Sequence, residues 1–376
     1  MGANGINFYL GNIMSELHIT TFKPETLRQF IERVFLSFEI PMSDARQAAD
    51  VLLAADLKGI DSHGVARLRT YVDMLTHGRI NPKPKIKIVR EFKSVCTIDG
   101  DNGLGLVVGP AANRVAMDKA DEFGSGWVSV CNTNHYGIAS YYSLEALKRN
   151  QLGWSMTNST KLVAPLWGAE RMLGTNPIAI AFPSAKYKPV VIDLATSAAA
   201  YGKIEIARRK QQPIPKGWAI DRVGNGTDDP HAMIEGGALL PLGSERDLGG
   251  HKGYCLSAMV DLLTSVLSGA NWGPFAPPFA LRQEIPTRSV GKGIGHFFGV
   301  MKIDGFMDVT EFKARVDEWI ETFRNTKPVP GQSAVLIPGD PEHEQEATRS
   351  ENGIPLIEPV INDLLEISKI TGVPLS

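Results

Sequence analysis

Residues 59–75 read GIDSHGVARLRTYVDML, in which a Ser-His-Gly tripeptide leads into helically spaced apolar residues. A helix advances about 100° per residue, so a helix running from Ser62 would separate a packing stripe from a polar face. The stripe consists of Val65, Leu68, Val72 and Leu75, and the polar face of His63, Arg67 and Tyr71. An imidazole, a planar cation and a phenol in line suit a small carboxylate whose neighbouring oxygen gains or loses a proton. The simpler alternative is a capping serine beside ordinary solvated side chains.

The overall composition is that of a globular protein without a basic field for nucleic acid. The chain has 376 residues, enough for a large core and more than one lobe. Its 39 basic and 41 acidic residues give a net charge of -2, so no nucleic-acid partner is expected. Three isolated cysteines, Cys96, Cys131 and Cys255, favour a reducing compartment over a disulfide framework or a thiolate metal site. We expect no metal.

The first residues of the chain do not resemble an export signal. Met1 to Asn12 has neither a basic start nor an apolar centre followed by small residues. No apolar run approaches the roughly 20 residues that span a bilayer, so we expect a cytoplasmic protein without membrane contacts. Regular patterning begins just after Met14, which indicates Met14 as the natural start.

The segment 1–85 is interpreted as a helical unit that presents the Ser-His-Gly motif. Helical spacing predicts a first helix over Pro24 to Leu36, with the proline tolerated in the first turn. A second helix, rich in alanine and leucine, is predicted over Asp44 to Lys58. Ser43 is its predicted N-cap, and Gly59 ends it.

A glycine-rich stretch, Gly103 to Gly109, lies between a predicted strand pair and a predicted helix. The strands are Ile86 to Arg90 and Ser94 to Ile98, and the helix runs from Gly109-Pro110 to about Phe123. The last glycine is displaced from the Gly-x-Gly-x-x-Gly pattern, and no acidic residue follows where a ribose would need it. A Rossmann dinucleotide site is therefore not expected.

Polar residues follow two predicted buried strands that flank a helix. The strands are Trp127 to Cys131 and Gly153 to Thr157, and the helix is Ser140 to Arg149, an alternation typical of α/β proteins. Ligands collect at the carboxyl ends of strands in open α/β sheets, so His135 and Ser159 are candidates for function. Asparagine and threonine at strand ends are also ordinary turn residues.

Two further strands are predicted over Ile178 to Phe182 and Val190 to Ile192, and the second ends at Asp193. Asp193 suits a cap of the next helix, predicted over Ser197 to Lys210, as well as it suits catalysis. Residues 211–250 are rich in glycine and proline and are interpreted as a mobile loop over a site.

Gly249-Gly250-His251-Lys252-Gly253 precedes a predicted apolar helix, Tyr254 to Leu267. Small residues and a lysine at a helix start are compatible with an anion site, although this is not a Walker motif. The remaining predicted elements are a strand over Phe297 to Ile303 and helices over Val309 to Phe323 and Pro359 to Ile370. We divide the chain into the helical unit 1–85, an α/β core at 86–330, and a C-terminal segment at 331–376 that returns to the core.

Six ordered blocks make the chain resemble the type 2 malate/L-lactate dehydrogenase family from about Thr21 to Gly372. They are Asp61-Ser62-His63-Gly64, Asn134-His135-Tyr136-Gly137, Gly174-Thr175-Asn176-Pro177, Ile192-Asp193-Leu194-Ala195-Thr196-Ser197, Gly250-His251-Lys252-Gly253-Tyr254 and Gly295-His296-Phe297-Phe298. This family also contains sulfolactate, ureidoglycolate, diketogulonate and cyclic-imine reductases and is unrelated to the Rossmann-type enzymes. The resemblance implies a sulfolactate-dehydrogenase-like, three-layer α/β/α fold with a mixed sheet, and a homodimer or higher homo-oligomer.

The resemblance further implies hydride exchange between a nicotinamide cofactor and a small 2-hydroxy or 2-oxo acid. His63 would be the acid/base with Ser62 and Asp193 as relay or orienting partners, and His135 is a competing acid/base. Arg67 and Tyr71 would hold the substrate carboxylate. The cofactor positions that match are Ser159, Asp193, Leu194, Ala195, Lys252 and Gly339. The proline at position 341 departs from the family's usual pattern after Gly339.

The resemblance implies the type of reaction, but it does not single out one substrate or one nicotinamide cofactor. Malate is the first expectation and lactate the second, and NAD is preferred over NADP. A second class of function is a serine hydrolase using Ser62, His63 and Asp193. It is disfavoured because adjacent serine and histidine rarely align and no Gly-x-Ser-x-Gly elbow surrounds Ser62. A third class is a non-catalytic binding protein with the same fold.

Overall fold

The computed structural model describes residues 19–281 and 283–375, so Met14 lies outside the described residues. The strands in chain order are β1 (Ile19–Phe22), β2 (Lys87–Phe92), β3 (Val95–Gly103), β4 (Ser125–Thr133), β5 (Gln151–Thr157), β6 (Ile178–Phe182), β7 (Val190–Leu194), β8 (Ala219–Ile220), β9 (Gly226–Thr227), β10 (Ala238–Leu239), β11 (Ile294–Lys302) and β12 (Ile354–Ile357). The helices are α1 (Pro24–Ser37), α2 (Met42–Leu57), α3 (Leu68–Thr76), α4 (Gly105–Phe123), α5 (Ser140–Leu147), α6 (Tyr201–Arg209), α7 (Gly250–Asp261), α8 (Val309–Arg324), α9 (Asp340–Asn352) and α10 (Glu358–Thr371).

The described residues form two compact units. The first comprises those within Met1–Asp73 together with those within Pro341–Ser376, and the second comprises Met74–Asp340. Strand β1 pairs antiparallel with β12, with Ile19 opposite Ile357, which ties the two segments of the first unit together. The described C-terminal residues thus group with the N-terminal helices.

Helix α1 forms where the apolar spacing predicts it. Pro24 occupies its first turn, where a missing N–H costs no helical hydrogen bond. The buried face consists of Leu27, Phe30, Ile31, Val34 and Phe35. Helix α2 has Pro41 at its N-cap position, so the prediction of Ser43 as N-cap is wrong. The hydroxyl of Ser43 instead lies 3.2 Å from the carboxylate of Asp44.

A mixed sheet forms the centre of the second unit. Its seven described strands have the order β2-β3-β4-β11-β5-β6-β7. Strands β3 and β4 pair in parallel, and the other neighbours pair antiparallel. Because β11 is antiparallel to both β4 and β5, these two strands run in the same direction. Strand β6 is antiparallel to β5 and to β7, so β7 also runs in that direction. The carboxyl ends of β4, β5 and β7 therefore lie at one edge of the sheet, which we call the ligand edge.

Helices cover both faces of this sheet. Helices α4 and α5 pack on one face, over a core that includes Phe298 and Val300 of β11. On the other face, Val260 of α7 and the helical turn that follows it pack against Phe297. Successive residues of a strand point to opposite faces, so Phe297 and Phe298 belong to different layers. The expected three-layer α/β/α fold with a mixed sheet is confirmed.

The glycine-rich stretch before α4 is a packed helix start. Helix α4 begins at Gly105, four residues before the start that the sequence predicted at Gly109-Pro110. A Cβ atom on Gly105 would lie 2.1 Å from the carbonyl oxygen of Asn134. Glycine is required here because the helix approaches the backbone after β4.

Residues 211–250 are more structured than the sequence predicted. They contain a three-stranded antiparallel sheet in the order β10-β8-β9, which packs apolar side chains against α6. The adjoining helices also differ: α6 begins at Tyr201, after the expected start at Ser197, and α7 begins at Gly250, before the expected start at Tyr254. Among the described helices, none is long and apolar enough to cross a membrane.

Candidate active site

The Ser-His-Gly motif of the first unit lies on a tight turn. Two 3₁₀ turns, Asp61–His63 and Val65–Arg67, are separated by Gly64, whose φ of -90° and ψ of -144° interrupt the helix. Helix α3 begins only after the second turn. The single helical face that the sequence predicted from Ser62 onward is therefore wrong.

The turn nevertheless brings three predicted residues together. Ser62 Oγ lies 2.8 Å from His63 Nδ1, so the expectation that the adjacent hydroxyl and imidazole would not align is wrong. Arg67 Nε donates to the carbonyl oxygen of Ser62 at 2.7 Å. The terminal nitrogens of Arg67 make no hydrogen bond within the described part of the chain, which leaves them able to bind a carboxylate.

A buried carboxyl group, that of Asp56, packs against this turn and forms a hydrogen bond with it. Asp56 of α2 is 1% exposed, and its Oδ2 accepts from Val65 N at 2.7 Å. A Cβ atom on Gly64 would lie 1.9 Å from Asp56 Oδ1, so position 64 must be glycine for the turn to pack here. Burial raises the pKa of Asp56 to about 8, although the bond from Val65 acts in the opposite direction.

The imidazole of His63 is held in its neutral form at pH 7. Burial, and after it the positive charge of Arg67, lower the pKa of His63 to about 4. A carboxylate bound to Arg67 would offset the positive charge that Arg67 places beside His63. An anionic ligand would thus raise the pKa of His63 and promote proton uptake.

Tyr71 lies on the packing side of α3. It is fully buried, and its ring meets that of Phe35 edge-on, with 6.3 Å between the centroids. Burial raises the pKa of its phenol, while the nearby charge of Arg67 acts to lower it. Contact between Tyr71 and a substrate stays a prediction.

The sheet topology brings the predicted site residues of the second unit to its ligand edge. His135 follows β4, Ser159 follows β5, and Asp193 lies near the end of β7. The ring of His135 stacks on Phe279, with 4.5 Å between the centroids and 11° between the planes. The backbone N of Phe279 donates to Thr160 Oγ1 at 3.1 Å, so the loops after β4 and β5 meet there.

Asp193 caps a helix, but a different one from that predicted. Its Oδ2 accepts from the backbone N of Ser140, the first residue of α5, at 2.9 Å. The next helix, α6, has Ala200 at its N-cap without a side-chain bond, so the capping alternative considered for Asp193 does not apply to α6. Because α5 follows the loop that contains His135, Asp193 fixes the end of that loop.

Ser159 is tied to the segment before β6. Its Oγ accepts from Thr175 N at 3.2 Å, and a Cβ atom on Gly174 would lie 2.4 Å from the same oxygen. The carbonyl oxygen of Thr175 accepts from Thr196 N at 2.9 Å. Ser159 and the residues after β7 are therefore joined through Gly174 and Thr175.

Thr196, directly after Leu194–Ala195, is joined in turn to the start of α7 through Leu242. The carbonyl oxygen of Thr196 accepts from Leu242 N at 2.9 Å, and a Cβ atom on Gly253 would lie 2.1 Å from Leu242 O. Lys252 is exposed in the first turn of α7. Its ammonium group therefore accompanies a helix N-terminus, a favourable place for an anion.

The loop of Gly339 lies against β7. Pro338 O accepts from Val191 N at 2.9 Å, two residues before Asp193. Gly339 has a φ of 99°, a value that favours glycine. Pro341 stands in the first turn of α9, where proline is tolerated, and this placement explains the departure from the family pattern.

A family model described as malate/L-lactate dehydrogenase matches residues 22–365. The chain belongs to the malate/L-lactate dehydrogenase family. It is 45% identical to a malate dehydrogenase of Pyrococcus horikoshii over 350 residues, which cover 93% of this chain and 95% of that protein. It is 41% identical to an L-sulfolactate dehydrogenase of Methanocaldococcus jannaschii over 350 residues, covering 93% and 97%. A solved malate dehydrogenase from Entamoeba histolytica matches with a TM-score of 0.89 at 36% identity, covering 95% of this chain and 99% of that one.

This dehydrogenase is therefore an oxidoreductase, and its family implies a nicotinamide cofactor. The residues at the ligand edge fit such a group. A hydroxyl and a carboxylate, from Ser159 and Asp193, suit ribose hydroxyls, and Lys252 with the start of α7 suits a phosphate. Nδ1 of His251, also in the first turn of α7, is buried and has no hydrogen-bond partner among the described residues. A polar group of a ligand would satisfy it.

Three residues of the dehydrogenase with positioning contacts were missed by sequence reasoning: Asp56, Phe279 and Thr175. Thr175 lies in the block Gly174-Thr175-Asn176-Pro177, for which the resemblance implied no role. Asp56 had a detectable signal, since a lone acid stands within the apolar run Val51 to Leu57 of a predicted buried helix. Phe279 had none, because its contact with His135 joins residues far apart in the chain.

The buried Asp56 predicts an unusual pH dependence of stability. Its pKa is about 8 when folded, against 3.8 as the ordinary value. Between these values the unfolded chain ionises while the folded chain stays protonated, so the free energy of unfolding falls as pH rises, by about 1.4 kcal/mol per pH unit. Below pH 4 and above pH 8 this contribution is flat. In Asp56→Asn the contribution is absent, because the amide cannot ionise.

Urea unfolding at pH 5 and pH 8 checks this prediction. The wild-type chain should lose up to about 4 kcal/mol more stability than Asp56→Asn over that interval. Equal losses in the two proteins would show that Asp56 is ionised in the folded state.

Proposed function

We propose that this chain interconverts malate and oxaloacetate with a nicotinamide cofactor. The observation that supports the chemistry most directly is the turn in which Ser62 Oγ lies 2.8 Å from His63 Nδ1 and Arg67 is bonded to Ser62 O. The relatives that support the substrate are malate dehydrogenases at 44–45% identity. A second candidate substrate is sulfolactate, supported by the relative at 41% identity.

His63 is proposed as the acid/base. When bound, the nicotinamide cofactor supplies or accepts the hydride at the carbon that bears the substrate oxygen. In the oxidation of a 2-hydroxy acid, neutral His63 takes the hydroxyl proton on Nε2 while its Nδ1–H donates to Ser62 Oγ. Ser62 is exposed, so its hydroxyl connects the imidazole to solvent. His135 is the competing acid/base.

Arg67 is proposed to bind the substrate carboxylate. Its Nε is already fixed on the Ser62 carbonyl oxygen, so the terminal nitrogens project from a defined position beside the imidazole. Reduction of an oxo acid needs a protonated His63. The anionic substrate itself promotes that state by offsetting the charge of Arg67, one of the two causes that keep the pKa of His63 low.

NAD is the proposed cofactor, with NADP as the alternative, and its proposed contacts are Ser159, Asp193, Leu194, Ala195, Lys252 and Gly339. A homodimer or higher homo-oligomer is also proposed. Exposed apolar side chains on α7 and just after it favour self-association: Leu256, Leu262, Val266 and Leu267. Light scattering on the eluting protein should give a mass of at least twice the 40.9 kDa of one chain, and a mass equal to that of one chain would contradict the proposal.

The test is the change in reduced-nicotinamide absorbance with purified protein, using NADH and NADPH in turn. Oxaloacetate, 3-sulfopyruvate and pyruvate are compared as substrates, and kcat/KM ranks them. Fastest oxidation with oxaloacetate supports the proposal, and fastest oxidation with 3-sulfopyruvate replaces malate by sulfolactate. If none of the acids is reduced with either cofactor, the proposed reaction is wrong.

A further inference from the structure

One arginine near the C-terminal end of the sequence binds the residues that precede Ser62 and His63. Arg349 of α9 has a side chain that is only 11% exposed. Its Nη1 donates to the carbonyl oxygen of Asp56 at 2.7 Å and to the carboxylate of Asp61, and Nη2 approaches the other oxygen of that carboxylate at 3.4 Å. One guanidinium thus bridges the end of α2 and the residue directly before Ser62.

Two neighbours on α9 contact the short segment between these bridged points. Lys58 Nζ lies 2.8 Å from the carboxylate of Glu346, and a Cβ atom on Gly59 would lie 3.0 Å from Gln345 Cγ. Gln345 in turn accepts from Arg349 Nε at 3.2 Å. Residues 58–61 therefore follow the surface of α9.

We propose that Arg349 is a positioning residue for His63, acting through Asp61. The inference rests on the proposed role of His63 as the acid/base. Asp61, Ser62 and His63 form a single 3₁₀ turn, so the orientation of the Asp61 carboxylate and that of the imidazole are coupled through only two peptide units. Holding Asp61 fixes the approach of Ser62 Oγ to His63 Nδ1.

The geometry requires arginine at position 349. A guanidinium presents several donors in one plane and can hold a carbonyl oxygen and a carboxylate together. A lysine ammonium is a compact point charge on a flexible stem and cannot reproduce that fork. The side chain of Asp61 is 58% exposed and stays hydrated when the pair is broken. Breaking the pair therefore frees the turn to move, which is the effect that the experiment detects.

The test compares Arg349→Gln, Arg349→Lys and Asp61→Asn with a matched control, Arg69→Gln. Arg69 forms ion pairs with Asp73 of α3 and with Asp363 and Glu366 of α10, all in the same unit. For each protein, kcat and KM are measured with the substrate found above, folding is checked by thermal melting, and the imidazole of His63 is titrated by NMR.

The three test variants should lower kcat about 10- to 50-fold and leave the KM for cofactor within twofold. The pKa of His63 should rise from about 4 towards 6.5, because a released turn regains hydration. The combined variant Asp61→Asn/Arg349→Gln should be no worse than Arg349→Gln alone, since the link between Asp61 and Arg349 is already broken in that variant. The control should match the wild type in kcat and in the titration.

A wild-type kcat and an unchanged His63 titration in folded Arg349→Gln would overturn the inference. If Arg349→Gln does not fold, Asp61→Asn decides, because the changed side chain is 58% exposed and Arg349 keeps its bond to the carbonyl oxygen of Asp56. Failure of the proposed function gives a different result: His63→Ala would then retain activity, whatever Arg349→Gln does.

Discussion

Replacing His63 with alanine is expected to lower turnover by roughly two to four decades, the contribution of a positioned acid/base. The KM for NADH should change little, because the proposed cofactor contacts all belong to the second unit. The reason for the large effect is that proton transfer and hydride transfer must both occur for net reaction, and Ser62 cannot replace the imidazole as a base at neutral pH. Steady-state kinetics with the substrate that ranks first provides the measurement.

His77→Ala is the matched control, since His77 is an exposed histidine that follows α3. It should behave as the wild type. Turnover of His63→Ala within a few-fold of the wild type would remove His63 from the chemistry and make His135 the acid/base. His135→Ala would then be the variant with the large loss.

The substitution Arg67→Lys is expected to raise the KM for the oxo acid by about 10- to 100-fold. Two contacts are lost together. The ammonium cannot form the two-pronged pair with a carboxylate, and it lacks the Nε that donates to Ser62 O at 2.7 Å. Because the second contact also holds the turn of Ser62 and His63, kcat should fall as well, but by less than in His63→Ala.

Arg69→Lys serves as the control for Arg67→Lys, because it makes the same exchange two residues later in α3. Arg69 pairs with Asp73 at 3.0 Å and with Glu366, and these exposed pairs contribute little. An unchanged KM in Arg67→Lys would place the substrate carboxylate elsewhere.

The parts of the fold that could be predicted are those specified by local pattern. Helix α1 and strand β6 occur within one residue of their predicted bounds. Apolar residues recur about every 3.6 residues in an amphipathic helix and every 2 in a strand, and this pattern can be recognised without knowing which element packs against them. The placement of His135, Ser159 and Asp193 at strand ends was also readable. That these three ends share one edge was not, since it depends on β11 inserting between β4 and β5.

The turn that carries Ser62 and His63 could not be predicted, because its shape is set by distant residues. Apolar spacing continues through Gly64, so local sequence favours one helix. The break arises where the carboxyl of Asp56 packs beneath Gly64 and where Arg349, 288 residues away in sequence, binds Asp61. Tertiary contacts of this kind override helix propensity.

The pairing of β1 with β12 makes the unit that contains His63 discontinuous in sequence. During synthesis, residues 74–340 are complete before the partner strand of β1 exists. The second unit can therefore fold while the chain is still emerging from the ribosome, whereas the first must wait for Ile354–Ile357. A nascent chain stopped before β12 would lack both this strand and α10, so the unit that contains Ser62 and His63 can be assembled only after residues 354–371 have been made.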